Sequence, residues 1–458
     1  MSLKLPDKGQ WAFIGLVMCL VTYYTGSVAV YFLNGKTPLY IWKNFDSMLL
    51  WRIITESNIR TDIRLTAIPS LLSGMVSSLI VPVFIIWQLN KTDVALYGDA
   101  KFASDNDLRK SKLLKWEKEN DTDILVGAYK GKYLWYTAPD FVSLGAGTRA
   151  GKGAAIGIPN LLVRKHSLIA LDPKQELWKI TSKVREILLG NKVYLLDPFN
   201  SKTHQFNPLF YIDLKAESGA KDLLKLIEIL FPSYGMTGAE AHFNNLAGQY
   251  WTGLAKLLHF FINYEPSWLN EFGLKPVFSI GSVVDLYSNI DRELILSKRE
   301  ELEGTNGLDE NALYHLRDAL TKIREYHETE DEQRSSIDGS FRKKMSLFYL
   351  PTVRKCTDGN DFDLRQLRRE DITVYVGVNA EDISLAYDFL NLFFNFVVEV
   401  TLRENPDFDP TLKHDCLMFL DEFPSIGYMP IIKKGSGYIA GFKLKLLTIY
   451  QNISQLNE

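Results

Sequence analysis

Val142-Ser-Leu-Gly-Ala-Gly-Thr-Arg-Ala-Gly-Lys152-Gly153 is the stretch whose reading sets the fold. A short apolar strand runs into a glycine-rich turn, and a Gly/Ala/Ile-rich helical start follows. Ala146, Gly151 and Lys152 satisfy the relaxed phosphate-loop pattern of Ala or Gly, four residues, then Gly-Lys. Glycines allow backbone N–H groups to face a β-phosphate, the helix N-terminus adds partial positive charge, and the lysine bridges the β- and γ-phosphates. Gly153 departs from the pattern, since Ser or Thr there usually offers an oxygen to Mg²⁺. Thr148 is either a substitute for that oxygen or a turn residue, and its place among glycines favours the turn.

Two later stretches are of the type such a loop needs. Cys416-Leu-Met-Phe-Leu-Asp421-Glu422 is a buried strand ending in two carboxylates. The first suits the orientation of Mg²⁺ and its water, and the second can polarise an attacking water. In Leu446-Leu-Thr-Ile-Tyr-Gln451 an apolar strand ends at a glutamine, a side chain that can sense a γ-phosphate or position water. Around these pieces lie further strand-like runs at 124–126, 134–137, 167–171, 192–196 and 372–378, with helix-like stretches between them. Strands alternating with helices predict an α/β chain with a parallel sheet. From 216 to 345 the pattern is amphipathic or charged and helical, for example Lys221–Leu230, Ala241–Phe261 and Leu308–Tyr326. This reads as an all-α domain inserted between sheet strands.

The 458 residues are 46% apolar and 23% charged, which excludes a disordered or collagen-like chain. The three cysteines, Cys19, Cys356 and Cys416, are too few and too far apart for a disulfide framework or a CxxC metal site, and fit a reducing compartment. Apolar residues are unevenly spread. Residues 11–33 and 65–90 carry no charge, and each run exceeds the roughly 20 residues that cross a bilayer core of about 30 Å. They predict two N-terminal transmembrane helices joined by a loop over about 34–64. Lys and Arg are nearly balanced across the flanks, so charge does not set the orientation. Residues 1–90 hold seven Lys/Arg and four Asp/Glu, which leaves 45 and 51 of the chain's 52 and 55 for the remainder. A remainder of that balance is no all-over nucleic-acid binder; contact with DNA needs a local basic lining.

The set as a whole resembles the type IV secretion coupling proteins, the TraG-like conjugative transfer ATPases. The resemblance rests on the two apolar runs, Leu96-Tyr-Gly-Asp-Ala-Lys-Phe-Ala, the loop Gly147-Thr-Arg-Ala-Gly-Lys-Gly153 continuing to Ile158-Pro-Asn-Leu-Leu, and Asp172-Pro-Lys-Gln-Glu-Leu177. Leu196-Asp-Pro-Phe-Asn200, Phe206-Asn-Pro-Leu209, Phe419-Leu-Asp-Glu-Phe-Pro424, Gly427, Gln451 and Gln455 complete it. It implies a RecA-like P-loop nucleotide-binding domain split into 91–215 and 346–458, the all-α domain at 216–345, and a membrane anchor at 1–90. It also implies ATP and Mg²⁺. Gly147, Thr148, Arg149, Ala150, Gly151, Lys152 and Gly153 would cradle the phosphates. Lys152 would bind phosphate, Asp421 would orient Mg²⁺, Glu422 would activate water and Gln451 would sense the γ-phosphate. Subunits would form a hexameric ring at the bacterial inner membrane, with the bulk of the chain cytoplasmic and about 34–64 periplasmic. The implied partners are a single-stranded DNA–relaxase complex, secreted proteins and other secretion subunits. Members normally continue past the equivalent of Glu458, so the second half of the nucleotide-binding domain reads as truncated.

Asp172 either assists the Mg²⁺ shell or is a turn acid before Pro173. Arg149, Arg324, Arg342 and Arg354 are unranked candidates for an arginine finger acting on a neighbouring subunit. His327-Glu-Thr-Glu lacks the second histidine of HExxH, and His242 has no ligand partner nearby in sequence, so a metalloprotease is excluded. Phe341-Arg-Lys-Lys344 fits a solvated helix face better than a nucleic-acid contact. A septal chromosome translocase would carry more spans and a DNA-reading terminal domain. A docking receptor that binds nucleotide without turnover stays open because of Gly153.

Overall fold

The computed structural model describes residues 8–55, 61, 103–147 and 149–452, in two compact units divided after Ala103. In the first unit, α1 (Lys8–Leu33) is followed by α2 (Pro38–Asn44) and α3 (Leu49–Thr55). Thr37 Oγ1 accepts from Tyr40 N, and Pro38 at the first turn gives up no intrahelical bond, so α2 starts sharply. Tyr31 Oη donates to the carbonyl of Asn44 and accepts from Asp46 N, which turns α2 back onto α1. The expected span 11–33 lies within the 26 residues of α1. Among the described residues no helix is long and apolar enough to cross a membrane. The expected span 65–90 lies outside the described residues.

The second unit starts with α4 (Asp105–Lys110), closed by a capping box between Ser104 and Asp107. The strands β1 (Leu114–Lys115), β2 (Ile124–Tyr129) and β3 (Lys132–Tyr136) form a separate antiparallel sheet in the order β1-β3-β2. The runs at 124–126 and 134–137 therefore pair with each other and not with the parallel sheet. The two-residue turn at Lys130 and Gly131, both in the left-handed region, closes the hairpin.

The main sheet has six parallel strands: β4 (Val142–Gly145), β5 (Leu168–Leu171), β6 (Lys192–Leu196), β7 (Ile372–Val376), β8 (Cys416–Asp421) and β9 (Leu444–Tyr450). Their order is β4-β9-β8-β5-β7-β6. β5 and β7 are buried at every position, as expected for strands covered on both faces. Alternation assigns the faces. Leu168 and Ala170 join Leu417, Phe419 and Leu447 under α5 (Ile158–Val163) and α6 (Glu176–Ile187). Ile169 and Leu171 join Met418 and Leu420 on the other face.

Between the neighbouring strands β6 and β7 the chain makes only helices, among the described residues. These are α7 (Gly219–Leu230), α8 (Gly238–Asn263), α9 (Ser267–Glu271), α10 (Ile280–Asn289), α11 (Arg292–Ser297), α12 (Arg299–Glu303), α13 (Glu310–His327), α14 (Asp331–Met345) and α15 (Pro351–Thr357), with single 3₁₀ turns. α8 is the hub, with Trp251, Leu254, Ala255, Leu257 and Leu258 fully buried. Gly253 lets it lie against α13, where a Cβ would meet the Lys322 Cβ at 2.9 Å. The apolar core of these helices is continuous with the second face of the sheet, through α16 (Tyr387–Leu402). α17 (Pro430–Ile439) follows β8.

One buried cation braces the first face. Arg185 on α6 donates to the carbonyls of Leu161, Arg164 and His166, to Thr373 Oγ1 and to Asn191 Oδ1, at 2.6–2.9 Å. Every acceptor is neutral. Burial pulls its pKa down to about 10, so it stays charged at neutral pH.

Candidate nucleotide site at the strand ends

β4 hands over to the phosphate-type loop without losing its ladder: Ala146 N donates to the carbonyl of Tyr450 beyond the β4–β9 pairing. Ala150 N then donates back to the Gly147 carbonyl. Arg149 (φ 62°) and Gly151 (φ 78°) are left-handed. Glycine adopts that conformation freely, while for Arg149 it costs about 1 kcal/mol or more. The chain leaves the loop through Lys152 and a π-type turn, Gly153–Gly157, into α5. Gly157 is needed for closeness, since a Cβ there would come within 3.0 Å of the Phe419 ring on β8. Nothing lies within 4 Å of the Cβ positions of Gly147, Gly151 and Gly153, so the concave side of the loop is open. Thr148 lies outside the described residues.

The spacing of apolar residues had placed Asp421, Glu422 and Gln451 at strand ends, and the sheet brings those ends together. Asp421 closes β8, paired in register with Ile449 of β9, two residues before Gln451. Burial raises the Asp421 pKa above the usual carboxylate range; the Lys152 cation opposes that shift and Glu422 adds to it. Glu422 takes the left-handed conformation at φ 79°, which turns its side chain out of the strand direction. Gln451 Nε2 donates to Glu422 Oε2 at 2.6 Å.

Asp172, at the end of the neighbouring β5, resolves the other way. Its carboxylate accepts from Trp178 N at 2.8 Å and caps the first turn of α6. Burial raises its pKa too, and the charge of Asp421 adds to the shift. The bond to Trp178 N fixes one side of the carboxylate against the start of α6. The donor set suits a hydrated Mg²⁺, with a half-buried carboxyl on Asp421 that accepts no hydrogen bond from the described residues. Gly153 contributes no oxygen.

Asn160, in the Ile158–Leu162 stretch, has a structural role that no local pattern signals. Its side chain accepts from Leu125 N and donates to the carbonyls of Leu125 and Ile156, all at 2.8 Å, and so ties α5 to β2. Of the four arginines weighed, Arg354 is held by Asp285, and Arg342 donates to Tyr287 Oη. Arg149 and Arg324 are exposed. Arg342 also lines a cavity of 750 Å³ with Arg292, Arg334, Tyr287, Tyr326 and Tyr349, where Asp338 is the one acid. In the 341–344 segment Phe341 is in the core, while Arg342 and Lys343 are exposed on the helix face, Lys343 next to Glu240. At the opposite ends of the strands, His166, Asp371 and His414 are the one group among the described residues with ligand atoms close enough for a metal ion. The two imidazoles stack at 4.6 Å with planes 10° apart, so their in-plane lone pairs run parallel and do not converge.

Comparisons with known proteins bear on the family and the fold. Residues 101–458 match the family model described as "Type IV secretory system Conjugative DNA transfer". The conjugal transfer protein TraG of Escherichia coli is 24% identical over 481 residues, covering 99% of this chain and 73% of that protein. Protein VirD4 of Rhizobium radiobacter is 29% identical over 329 residues, 71% of this chain and 44% of its own length. Among solved structures, the bacterial conjugative coupling protein TrwBdeltaN70 superposes with a TM-score of 0.50 at 16% identity, covering 78% of this chain and 70% of that one. At that identity the likeness is one of fold: an α/β chain with a parallel sheet.

Proposed function

Because the chain belongs to the type IV secretory system conjugative DNA transfer family, we propose that it is the coupling ATPase that recruits nucleoprotein or protein substrates and drives their delivery to the secretion channel. One observation carries the enzymatic part: Glu422, left-handed and hydrogen-bonded to Gln451, stands beside Asp421 at the strand ends that face the open loop before Lys152. In this reading the Gly147–Gly153 backbone and Lys152 hold the triphosphate of ATP. Asp421 would hold Mg²⁺, which when bound would supply charge neutralisation for the triphosphate. Glu422 accepts a proton from the water whose oxygen attacks the γ-phosphorus, and the bond to the β-bridging oxygen breaks to leave ADP and phosphate. Gln451 fixes the Glu422 carboxylate and registers whether the γ-phosphate is present.

The substrate side has its own support. The 750 Å³ cavity among the helices sets three guanidinium groups and three tyrosines against one aspartate, a composition that suits the backbone and bases of a single strand. The uncharged runs at 11–33 and 65–90 support an anchor in the bacterial inner membrane, with the ATP-using remainder cytoplasmic and a hexameric ring as the working assembly. Gly153 favours a second reading, a docking receptor that binds ATP without turning it over.

The test is ATP turnover by the full-length protein in detergent, with and without single-stranded DNA, beside Lys152→Ala and Glu422→Gln. Turnover that DNA raises and either substitution removes is the expected result. Nucleotide binding with no turnover in the unsubstituted protein overturns the motor in favour of the receptor.

A further inference from the structure

The loop after the two carboxylates is held from two sides. It runs from Glu422 through a 3₁₀ turn, Phe423–Ile426, to Gly427 and Tyr428 before α17 begins. At its start, Ser425 N and Oγ both donate to the Glu422 carbonyl, at 3.0 and 2.7 Å. At its end, Asn391 of α16 spends its amide donors on two carbonyls, Ile426 at 2.9 Å and Tyr428 at 3.1 Å. Asn391 is almost fully buried in a helix otherwise rich in Phe and Val, where an unpartnered amide would be costly. Gly427, at φ 75°, lies under the Tyr387 phenol; a Cβ there would meet Tyr387 Oη at 2.1 Å. The loop therefore has one well-defined path.

The second side is the helical insertion. Tyr234, in the connection between α7 and α8, donates its hydroxyl to the same Tyr428 carbonyl at 3.0 Å, and the two tyrosine rings lie 4.8 Å apart. One oxygen thus accepts from the sheet side through Asn391 and from the insertion through Tyr234. Around this point the insertion and the sheet side are separated by a cleft of 440 Å³ lined by α7, α16 and the start of α17. Lys225 of α7 meets Glu399 of α16 at 2.5 Å across it. The cleft opens beside the apolar core that α7 and α16 share, so the connection carrying Tyr234 can move at its rim without breaking that core.

We propose that Asn391 is a positioning residue for Glu422, and that Tyr234 passes the state of the helical insertion to the same loop. The proposal rests on Glu422 being the water-activating group. Asn391 sets where the Glu422–Tyr428 loop ends, Ser425 closes its start on the Glu422 carbonyl, and the Glu422 carboxylate is left to meet Gln451. When the connection carrying Tyr234 moves, its hydroxyl pulls on or releases the Tyr428 carbonyl. The angle of the Glu422 carboxylate then follows. Substrate held by the helices would in this way set the rate of hydrolysis without touching the nucleotide.

The test uses full-length protein in detergent and three variants. Asn391→Asp keeps shape but replaces two donors by acceptors. Tyr234→Phe removes only a hydroxyl. Lys152→Ala marks nucleotide loss. A lost hydrogen bond to a group that must be aimed is expected to lower kcat about tenfold for Asn391→Asp and about threefold for Tyr234→Phe. KM for ATP should stay within about twofold, because the phosphate loop is untouched. The Tyr234→Phe protein should also lose its rate response to single-stranded DNA. Amide hydrogen exchange over 422–428 is read in parallel and should quicken in both variants. An unchanged kcat and unchanged exchange in Asn391→Asp overturn the proposal. If the unsubstituted protein shows no turnover, the motor reading fails by itself, and the exchange of 422–428 still decides whether Asn391 and Tyr234 hold the loop.

Discussion

At the residue scale the site is a set of groups kept slightly out of their comfort. Asp421 is buried enough that its pKa is raised, with burial the larger cause and Glu422 adding to it. An acid whose folded pKa lies above its unfolded value binds more protons when folded, so the stability it allows falls as pH rises through the carboxylate range. At pH 7 the nucleotide-free protein therefore carries that cost in full. Asp421→Asn should raise the melting temperature of the nucleotide-free protein by about 2 °C while removing Mg²⁺-dependent turnover; a lower melting temperature would show that the carboxylate has a structural partner. The near-continuous apolar runs of β8 and β9 place Asp421, Glu422 and Gln451 at strand ends, and the glycine-rich loop places Lys152 after β4. The sequence was silent on the left-handed turn at Glu422 and on Asn391 and Tyr234. Those depend on contacts between residues 35 to 194 positions apart, which no local pattern encodes.

At the element scale the parallel strands were legible from their near-continuous apolar runs, while the small antiparallel sheet was not. A run such as Leu134–Tyr136 looks the same whether its partner is one turn away or three hundred residues on. The pairing is set by the Lys130–Gly131 turn. The same scale holds a cation that composition could not locate. Lys445 lies within β9 and donates to the carbonyls of Ala138 and Thr122, at 2.7 and 3.2 Å. Burial, with Arg164 adding to it, brings its pKa down to about 8. The folded chain therefore binds fewer protons than the unfolded chain between about pH 8 and the ordinary lysine value, and stability must rise with pH across that window. Urea unfolding at pH 7.5 and 9.5 should show a gain that is absent in Lys445→Met; an equal gain in both would place its origin elsewhere.

For the whole molecule, one apolar core joins the helical insertion to a face of the sheet, and all of it lies in residues 104–458. That segment expressed alone should unfold in one cooperative transition at a temperature close to that of the full chain, followed by circular dichroism; two separate transitions would mean that the insertion and the sheet are independent. The inserted helices were legible from their amphipathic spacing, but their fusion to the sheet was not. It runs through α16, whose sequence reads simply as apolar. The brace at Arg185 has a further consequence. Its five bonds go to neutral oxygens, so there is no counter-charge for dissolved ions to screen. The contacts proposed between the arginines of the open cavity and a phosphate backbone would be of the opposite kind and would weaken steeply as ionic strength rises. A concentrated salt wash should strip nucleic acid from this protein and leave its sheet intact.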